Sequence, residues 1–142
     1  MEISDVRRRL RGAIEEARKR AAERRARNDD ASLSYAAFLS TVAIPAFHAL
    51  AQALVGEGHR FKVFTPGEAV RLVPEFSQDD YLELSLDTEG DRPAAMLRTS
   101  RGRGRRNIVT ERAVFEGRPF AEITDEDVVA AVLEDILPFV ER

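Results

Sequence analysis

The N-terminal segment, residues 3–27, constrains the fold more than any other part of the chain. Its apolar residues recur at spacings of three or four, which is the period of one helical face: Ile3, Val6, Leu10, Ile14, Ala17 and Ala21. A helix of this length extends about 37 Å, further than a small domain needs to cover its own core. We therefore predict a protruding helix whose narrow stripe packs on the domain or joins two copies of the chain.

The same helix is strongly basic. Residues 1–28 contain ten Arg or Lys against five Asp or Glu, whereas residues 29–142 contain twelve against twenty. This partition indicates an acidic or phosphate-bearing partner for the helix, or complementarity between the two parts of the chain. Acids placed four residues before bases favour the helix itself and weigh against a dedicated nucleic-acid-binding element: Asp5–Arg9, Glu15–Lys19, Glu16–Arg20 and Glu23–Arg27.

Residues 31–56 contain no charged side chain. This length, with arginines before it, fits a membrane span. However, its Ser, Thr, Pro, His and Gln side chains would need partners in hydrocarbon, and many of its apolar residues are alanine. We interpret the segment as a core helix that begins after a break at Asn28-Asp29-Asp30 and is bent or split at Pro45.

The rest of the chain predicts five strands and a final helix. Alternating apolar residues mark strands near 61–63, 70–72, 81–87, 94–99 and 107–115. Thr124 and Asp127 form a capping box at the start of the helix. Its predicted buried stripe consists of Val128, Val132, Leu133, Ile136, Leu137 and Val140.

These elements predict one α+β domain over residues 1–142. The order is α-α-β-β-β-β-β-α, with helices on one face of an antiparallel sheet of four to five strands, giving two layers. Residues 1–28 form the protruding or assembly helix and residues 29–142 the core. The chain has no cysteine and no recognisable signal peptide, which favours a cytoplasmic protein without a membrane partner.

A basic loop joins the last two predicted strands, over residues 100–105. Guanidinium groups on a glycine-containing turn suit phosphates or an acidic partner, and a basic β-ribbon can enter a nucleic-acid groove. The alternative is a solubilising loop that blunts a sheet edge or packs on the protein's own acidic surface. The candidate residues are Arg98, Arg101, Arg103, Arg105 and Arg106.

A polar stripe occurs on the second helix. Thr41, His48 and Gln52 recur with Pro45 at spacings of four, three and four, so they share one side. They form either the floor of a pocket, with His48 as base or ligand, or a buried polar stripe satisfied by its neighbours.

No metal, nucleotide or cofactor motif is complete. Asp87, Glu89 and Asp91 imitate the start of a calcium loop, but arginines occupy the positions that need glycine and glutamate. Gly102-Arg103-Gly104 is followed by neither a helix start nor the Lys-Ser/Thr of a phosphate-binding loop. We therefore predict no catalytic residue, no metal and no cofactor.

The leading hypothesis is a non-enzymatic interaction or regulatory module. We expect a homodimer joined through the N-terminal helix, with or without the second helix. Two alternatives remain open: phosphate or nucleic-acid binding through the arginine-rich hairpin, assisted by the first helix, and a small-molecule or enzymatic pocket around His48.

Overall fold

The computed structural model describes residues 1–77 and 79–141, which form the predicted two-layer α+β fold. Two helices begin the chain, five strands follow as one antiparallel sheet, and a helix ends it. The elements are α1 (Ile3–Phe38), a π-helical turn (Leu39–Ala43), α2 (Ile44–Gly56), β1 (Phe61–Phe64), β2 (Val70–Pro74), β3 (Tyr81–Asp87), β4 (Ala94–Arg103), β5 (Arg106–Val114), a 3₁₀ turn (Phe120–Glu122) and α3 (Asp125–Val140).

Helix α1 continues through the predicted break at residues 28–30, so that prediction was wrong. Asn and Asp cost a helix less than about 0.7 kcal/mol each. Continuing the helix places Tyr35 and Phe38 in the core, where they are 1% and 3% exposed. Both rings lie 5.4 Å from the ring of Phe120. Burial of two aromatic side chains outweighs three poor helix formers.

The first two helices are separated by the π-helical turn at Leu39–Ala43, which ends two residues before Pro45. Proline has no N–H and cannot donate to the carbonyl of Thr41 four residues earlier. A wider π turn rearranges the backbone hydrogen bonds at such a position, and Pro45 then lies in the first turn of α2. Of the two predicted possibilities, a bend or a split, the structure shows the split, at the π-helical turn.

The sheet is a meander in the order β1-β2-β3-β4-β5. On one face, Leu72, Leu82, Leu84 and Leu97 are buried beneath the helices. The other face is not covered by helices. It presents a cross-strand row of alternating charge in which each residue is the register partner of the next: Arg71, Glu83, Arg98 and Glu111.

The last two strands form a longer hairpin than expected. Strand β3 has the predicted bounds, but β4 extends to Arg103 and β5 begins at Arg106. Most of the predicted loop over residues 100–105 is therefore strand. The connection is the two-residue turn Gly104-Arg105, with Gly104 at φ 65°. A positive φ at the first central position is the geometry of a type II′ turn, which suits glycine.

Helix α3 begins with the predicted capping box. The Thr124 hydroxyl accepts from the Asp127 amide at 3.2 Å, and the Asp127 carboxylate accepts from the Thr124 amide at 3.0 Å. The buried row is Val128, Val132, Ile136 and Phe139.

The predicted burial of Leu133 and Leu137 was wrong, because these side chains are 51% and 47% exposed. Each follows a buried residue by one position, which rotates it by about 100° away from the sheet. Phe139, which the prediction omitted, completes the buried row instead and packs 6.3 Å from the ring of Phe61.

The continuous helical stretch Ile3–Gly56 passes a test of length and composition for a membrane span. In its apolar window, 39% of the residues are buried inside the protein. The core helix of a soluble protein meets the same test, and here Tyr35, Phe38 and Phe47 pack within the hydrophobic core.

Candidate interaction surfaces

The polar stripe of the second helix lies on the protein surface. Thr41, His48 and Gln52 are all exposed. The Thr41 hydroxyl donates to the Ala37 carbonyl at 2.7 Å, a bond within the helix. His48 and Gln52 border an open depression of about 440 Å³ between α2 and β1, with Val55 and Phe64. Such an open surface does not shield a histidine from water.

No group of three or more His, Asp or Glu residues that could hold a metal ion occurs in residues 1–77 and 79–141. Asp87, Glu89 and Asp91 belong to the β3–β4 connection. There the Asp87 carboxylate accepts a hydrogen bond from the Glu89 amide at 2.9 Å. This contact shapes the turn.

A depression of about 790 Å³ lies between α1 and the β3–β4 turn. Its charged residues nearly balance, with four arginines against three acids, so it offers no concentrated charge to a ligand. It does show where α1 passes the sheet, beside the start of β4. The lining residues are Arg20, Glu23, Arg24, Arg27, Asp30, Ala31, Asp91, Arg92 and Pro93.

Among residues 1–77 and 79–141, two groups have displaced pKa values, and both belong to structural contacts. Burial raises the pKa of Tyr35 above its ordinary value of 10.0, and the negative charges of Glu83 and Glu68 raise it further. The backbone amide of Thr124 lowers the pKa of Asp127, and Arg118 adds to this effect. Neither residue borders a depression described above.

The five arginines predicted for the hairpin are divided between two faces. Register pairs Arg101 with Ile108 and Arg103 with Arg106, so these three arginines share one face with Arg112. Arg105 lies in the turn. Arg98 lies on the opposite face, where its Nε is 2.9 Å from the Glu111 carboxylate. The structure therefore brings together Arg101, Arg103 and Arg106 and excludes Arg98.

The base of the hairpin is held by a buried carboxylate. Asp80 is 1% exposed, and its Oδ1 accepts from the Gly102 amide at 2.7 Å. The sequence pattern did not reveal this contact. The position of Asp80 immediately before β3, the neighbour of β4, was the available signal.

The stripe on α1 is exposed. Ile3, Val6, Leu10 and Ile14 are 78%, 43%, 58% and 41% exposed, and Ala17 is exposed too. At about 100° per residue, the four large side chains occupy a sector of about 80°, and Tyr35 falls within the same sector. The apolar surface near the start of α1 therefore lies on the same side of the helix as Tyr35, and Arg24 and Asn28 occupy that side between them.

Arginines border this stripe on both sides. The same helical geometry places Arg7, Arg11, Arg18 and Arg25 along one border and Arg9, Arg20 and Arg27 along the other, with Arg24 at the edge of the stripe itself. The acids Asp5, Glu16 and Glu23 lie near the back of the helix. Asp5 pairs with Arg8 at 3.4 Å. In the described chain, none of the four predicted i,i+4 pairs comes within 4.0 Å.

Comparisons with protein-family models, with curated proteins and with solved structures find no match to this chain.

Proposed function

We propose that this chain is a non-enzymatic interaction module that forms a homodimer through α1. The observation that carries the proposal is the exposed row of Ile3, Val6, Leu10 and Ile14 on the side of α1 that buries Tyr35. Burying a side chain of this size contributes about 1.5–3 kcal/mol. A helix that presents four of them to water gains much from a partner.

The arginine borders disfavour the simplest dimer. If two α1 helices met stripe to stripe, the borders of one would face the borders of the other, in either parallel or antiparallel orientation. Arginine would then oppose arginine along the whole contact. The surface that receives α1 must instead combine exposed apolar side chains with acids.

Helix α3 offers that combination. Leu133 and Leu137 are exposed, and between residues 125 and 141 the chain has six acids and no Lys or Arg. Glu126 and Glu134 are exposed and have no basic partner within 4.0 Å in the part of the chain that the structure describes. The neighbouring α2 carries no charge, so nothing on that helix opposes a basic partner.

The dimer that fits these surfaces is reciprocal. Helix α1 of one copy lies on α3 of the second copy, and the second copy returns the same contact, as twofold symmetry requires. The net charge of +5 on residues 1–28 meets the net charge of −8 on the remainder of the partner.

Light scattering coupled to size-exclusion chromatography, at micromolar protein, tests the proposal. We expect a dimer for the natural chain and a monomer for Leu10→Glu. The matched control is Ala26→Glu, which introduces the same charge on the opposite side of α1 and should leave the dimer intact. A monomeric natural chain, or equal effects of both substitutions, would overturn the proposal.

Two further measurements, the salt dependence of the dimer and the mixing of two variants, identify the surface that receives α1. Because α1 and α3 carry opposite charge, salt should weaken this dimer, whereas salt would strengthen a stripe-to-stripe pair by screening its arginines. Leu10→Glu and Leu137→Glu should each be monomeric alone. Mixed, they should form a heterodimer through the intact α1 of one and the intact α3 of the other. If the Leu137→Glu variant still forms a dimer, α1 can remain the interaction element, but α3 is not the surface that receives it.

A further inference from the structure

Four arginines at the tip of the β4–β5 hairpin have no acidic partner among the residues that the structure describes. Three other strand arginines each have a carboxylate within 2.9 Å: Arg71 with Glu83, Arg98 with Glu111, and Arg112 with Asp135. Within residues 1–77 and 79–141, no carboxylate lies within 4.0 Å of the four arginines at the tip: Arg101, Arg103, Arg105 and Arg106.

The placement of these arginines is unfavourable without an anion. Arg103 and Arg106 are direct register partners across the hairpin, and like charges directly opposite each other destabilise a strand pair. Arg101 lies two residues before Arg103 on the same face. An anion held between these guanidinium groups would replace their mutual repulsion with charge-assisted hydrogen bonds.

We propose that this hairpin binds the phosphate backbone of double-stranded nucleic acid. Arginine forks match phosphate geometry, and the major groove of a duplex admits a two-stranded β-ribbon. Strand β5 is the edge of the sheet, and every residue from 103 to 112 is exposed, so the ribbon is accessible.

The composition of the ribbon distinguishes a duplex from a single strand. Single-stranded nucleic acid is bound largely by stacking of its bases on aromatic side chains, and residues 94–114 contain no aromatic residue. Contacts to phosphates alone position a protein on a duplex without reading its sequence. We therefore expect binding with little sequence preference.

The site is separate from the proposed dimer surface on α1. Helix α1 passes the β3–β4 turn beside the start of β4, whereas the arginines lie at the end of β4. Arg101 and Arg103 lie eight and ten residues beyond Pro93 along β4, which is about 26–33 Å of strand. The basic half of α1 therefore does not assist the hairpin of the same chain in holding one phosphate.

Fluorescence anisotropy with a short labelled DNA duplex at about 50 mM salt tests the proposal. The substitution Arg101→Ala/Arg103→Ala/Arg106→Ala should lower affinity at least about tenfold, and each lost phosphate contact should reduce the slope of log affinity against log salt by about 1. The matched control is Arg98→Ala/Arg112→Ala, which removes two paired arginines from the same strands and should bind like the natural chain. Because the triple substitution removes like-charge repulsion, its thermal midpoint should not fall.

Three outcomes would overturn the proposal. One is no binding by the natural chain at low salt. Another is binding that the triple substitution leaves unchanged but that Arg20→Ala/Arg24→Ala/Arg27→Ala abolishes, because α1 would then be the binding element. The third is binding to phosphatidylserine vesicles without binding to the duplex. Since Leu10→Glu leaves the hairpin intact, its monomer should still bind DNA, so failure of the dimer and failure of this site are distinguishable.

Discussion

The Tyr35 hydroxyl donates a 3.2 Å hydrogen bond to the carbonyl oxygen of Leu84, which joins the end of α1 to the third strand. Tyr35 is 1% exposed, so no water replaces this bond when it is lost. Tyr35→Phe should cost about 1 kcal/mol of unfolding free energy, and Tyr35→Ala about 3–5 kcal/mol through the cavity it leaves. Urea denaturation measures both. Equal costs would mean that the ring contributes nothing beyond the hydroxyl.

The same tyrosine makes stability sensitive to alkaline pH. Burial raises its pKa above the 10.0 expected for the unfolded chain, so above that pH the unfolded state loses a proton that the folded state keeps. The stability associated with neutral Tyr35 is therefore complete below pH 10 and declines as pH rises further. Thermal midpoints between pH 9 and 11 should fall less steeply for Tyr35→Phe than for the natural chain. Parallel pH profiles would contradict this account.

The two ion pairs at opposite ends of the charged row differ in burial, so they should contribute differently to the free energy of unfolding. Glu83 accepts from Arg71 at 2.9 Å, with its side chain 13% exposed, while Glu111 in the exposed pair with Arg98 is 48% exposed. The Arg71 guanidinium also lies 4.0 Å from the ring centre of Tyr81. We expect Glu83→Gln to cost about 1–2 kcal/mol and Glu111→Gln less than about 1 kcal/mol. Chemical denaturation of the two variants side by side checks the order.

The capping box of α3 should make a contribution to folding stability that is lost in acid. Asp127 accepts from the Thr124 amide at 3.0 Å and from Arg118 at 2.8 Å, and these bonds lower its pKa below 3.8. A lowered pKa means that the contribution is complete above the unfolded value and is lost as pH falls below it. At neutral pH, the Asp127→Asn variant should therefore unfold at a lower temperature than the natural chain. The thermal midpoints of the two proteins should converge below about pH 3.8. A constant difference at all pH values would assign the effect to packing.

Alternation made β3 predictable to the residue, because one of its faces is buried and the other is open. The end of α1 was not predictable from Asn28, Asp29 and Asp30, since local propensity there loses to the burial of Tyr35 and Phe38. That burial depends on Phe120, which lies far along the chain. The exposure of Leu133 likewise depends on where α2 and the sheet lie relative to α3, and helical periodicity alone does not contain that information.

The division of the hairpin arginines follows from one turn. Once Gly104-Arg105 is recognised as a two-residue type II′ connection, counting backwards pairs Arg103 with Arg106 and Arg98 with Glu111. The glycine was visible in the sequence, but treating residues 100–105 as a loop concealed the register. A shift of one residue would have exchanged the faces of Arg98 and Arg101.

Asp80 should hold the hairpin in place independently of the arginines. Its buried carboxylate accepts from the Gly102 amide at 2.7 Å, and hydrogen bonds to charged groups contribute about 1.5–3 kcal/mol. Asp80→Ala should therefore destabilise the domain by about that amount and accelerate hydrogen exchange at the Gly102 amide. Asp80→Asn retains an acceptor oxygen without the charge, so it should have a smaller effect on both the stability and the exchange.

Gly102→Ala offers a converse test, because a Cβ there would lie 3.3 Å from the same carboxylate oxygen and should disturb the contact from the other side. If neither Asp80→Ala nor Gly102→Ala changed exchange at residue 102, the carboxylate would not be what fixes the base of the hairpin.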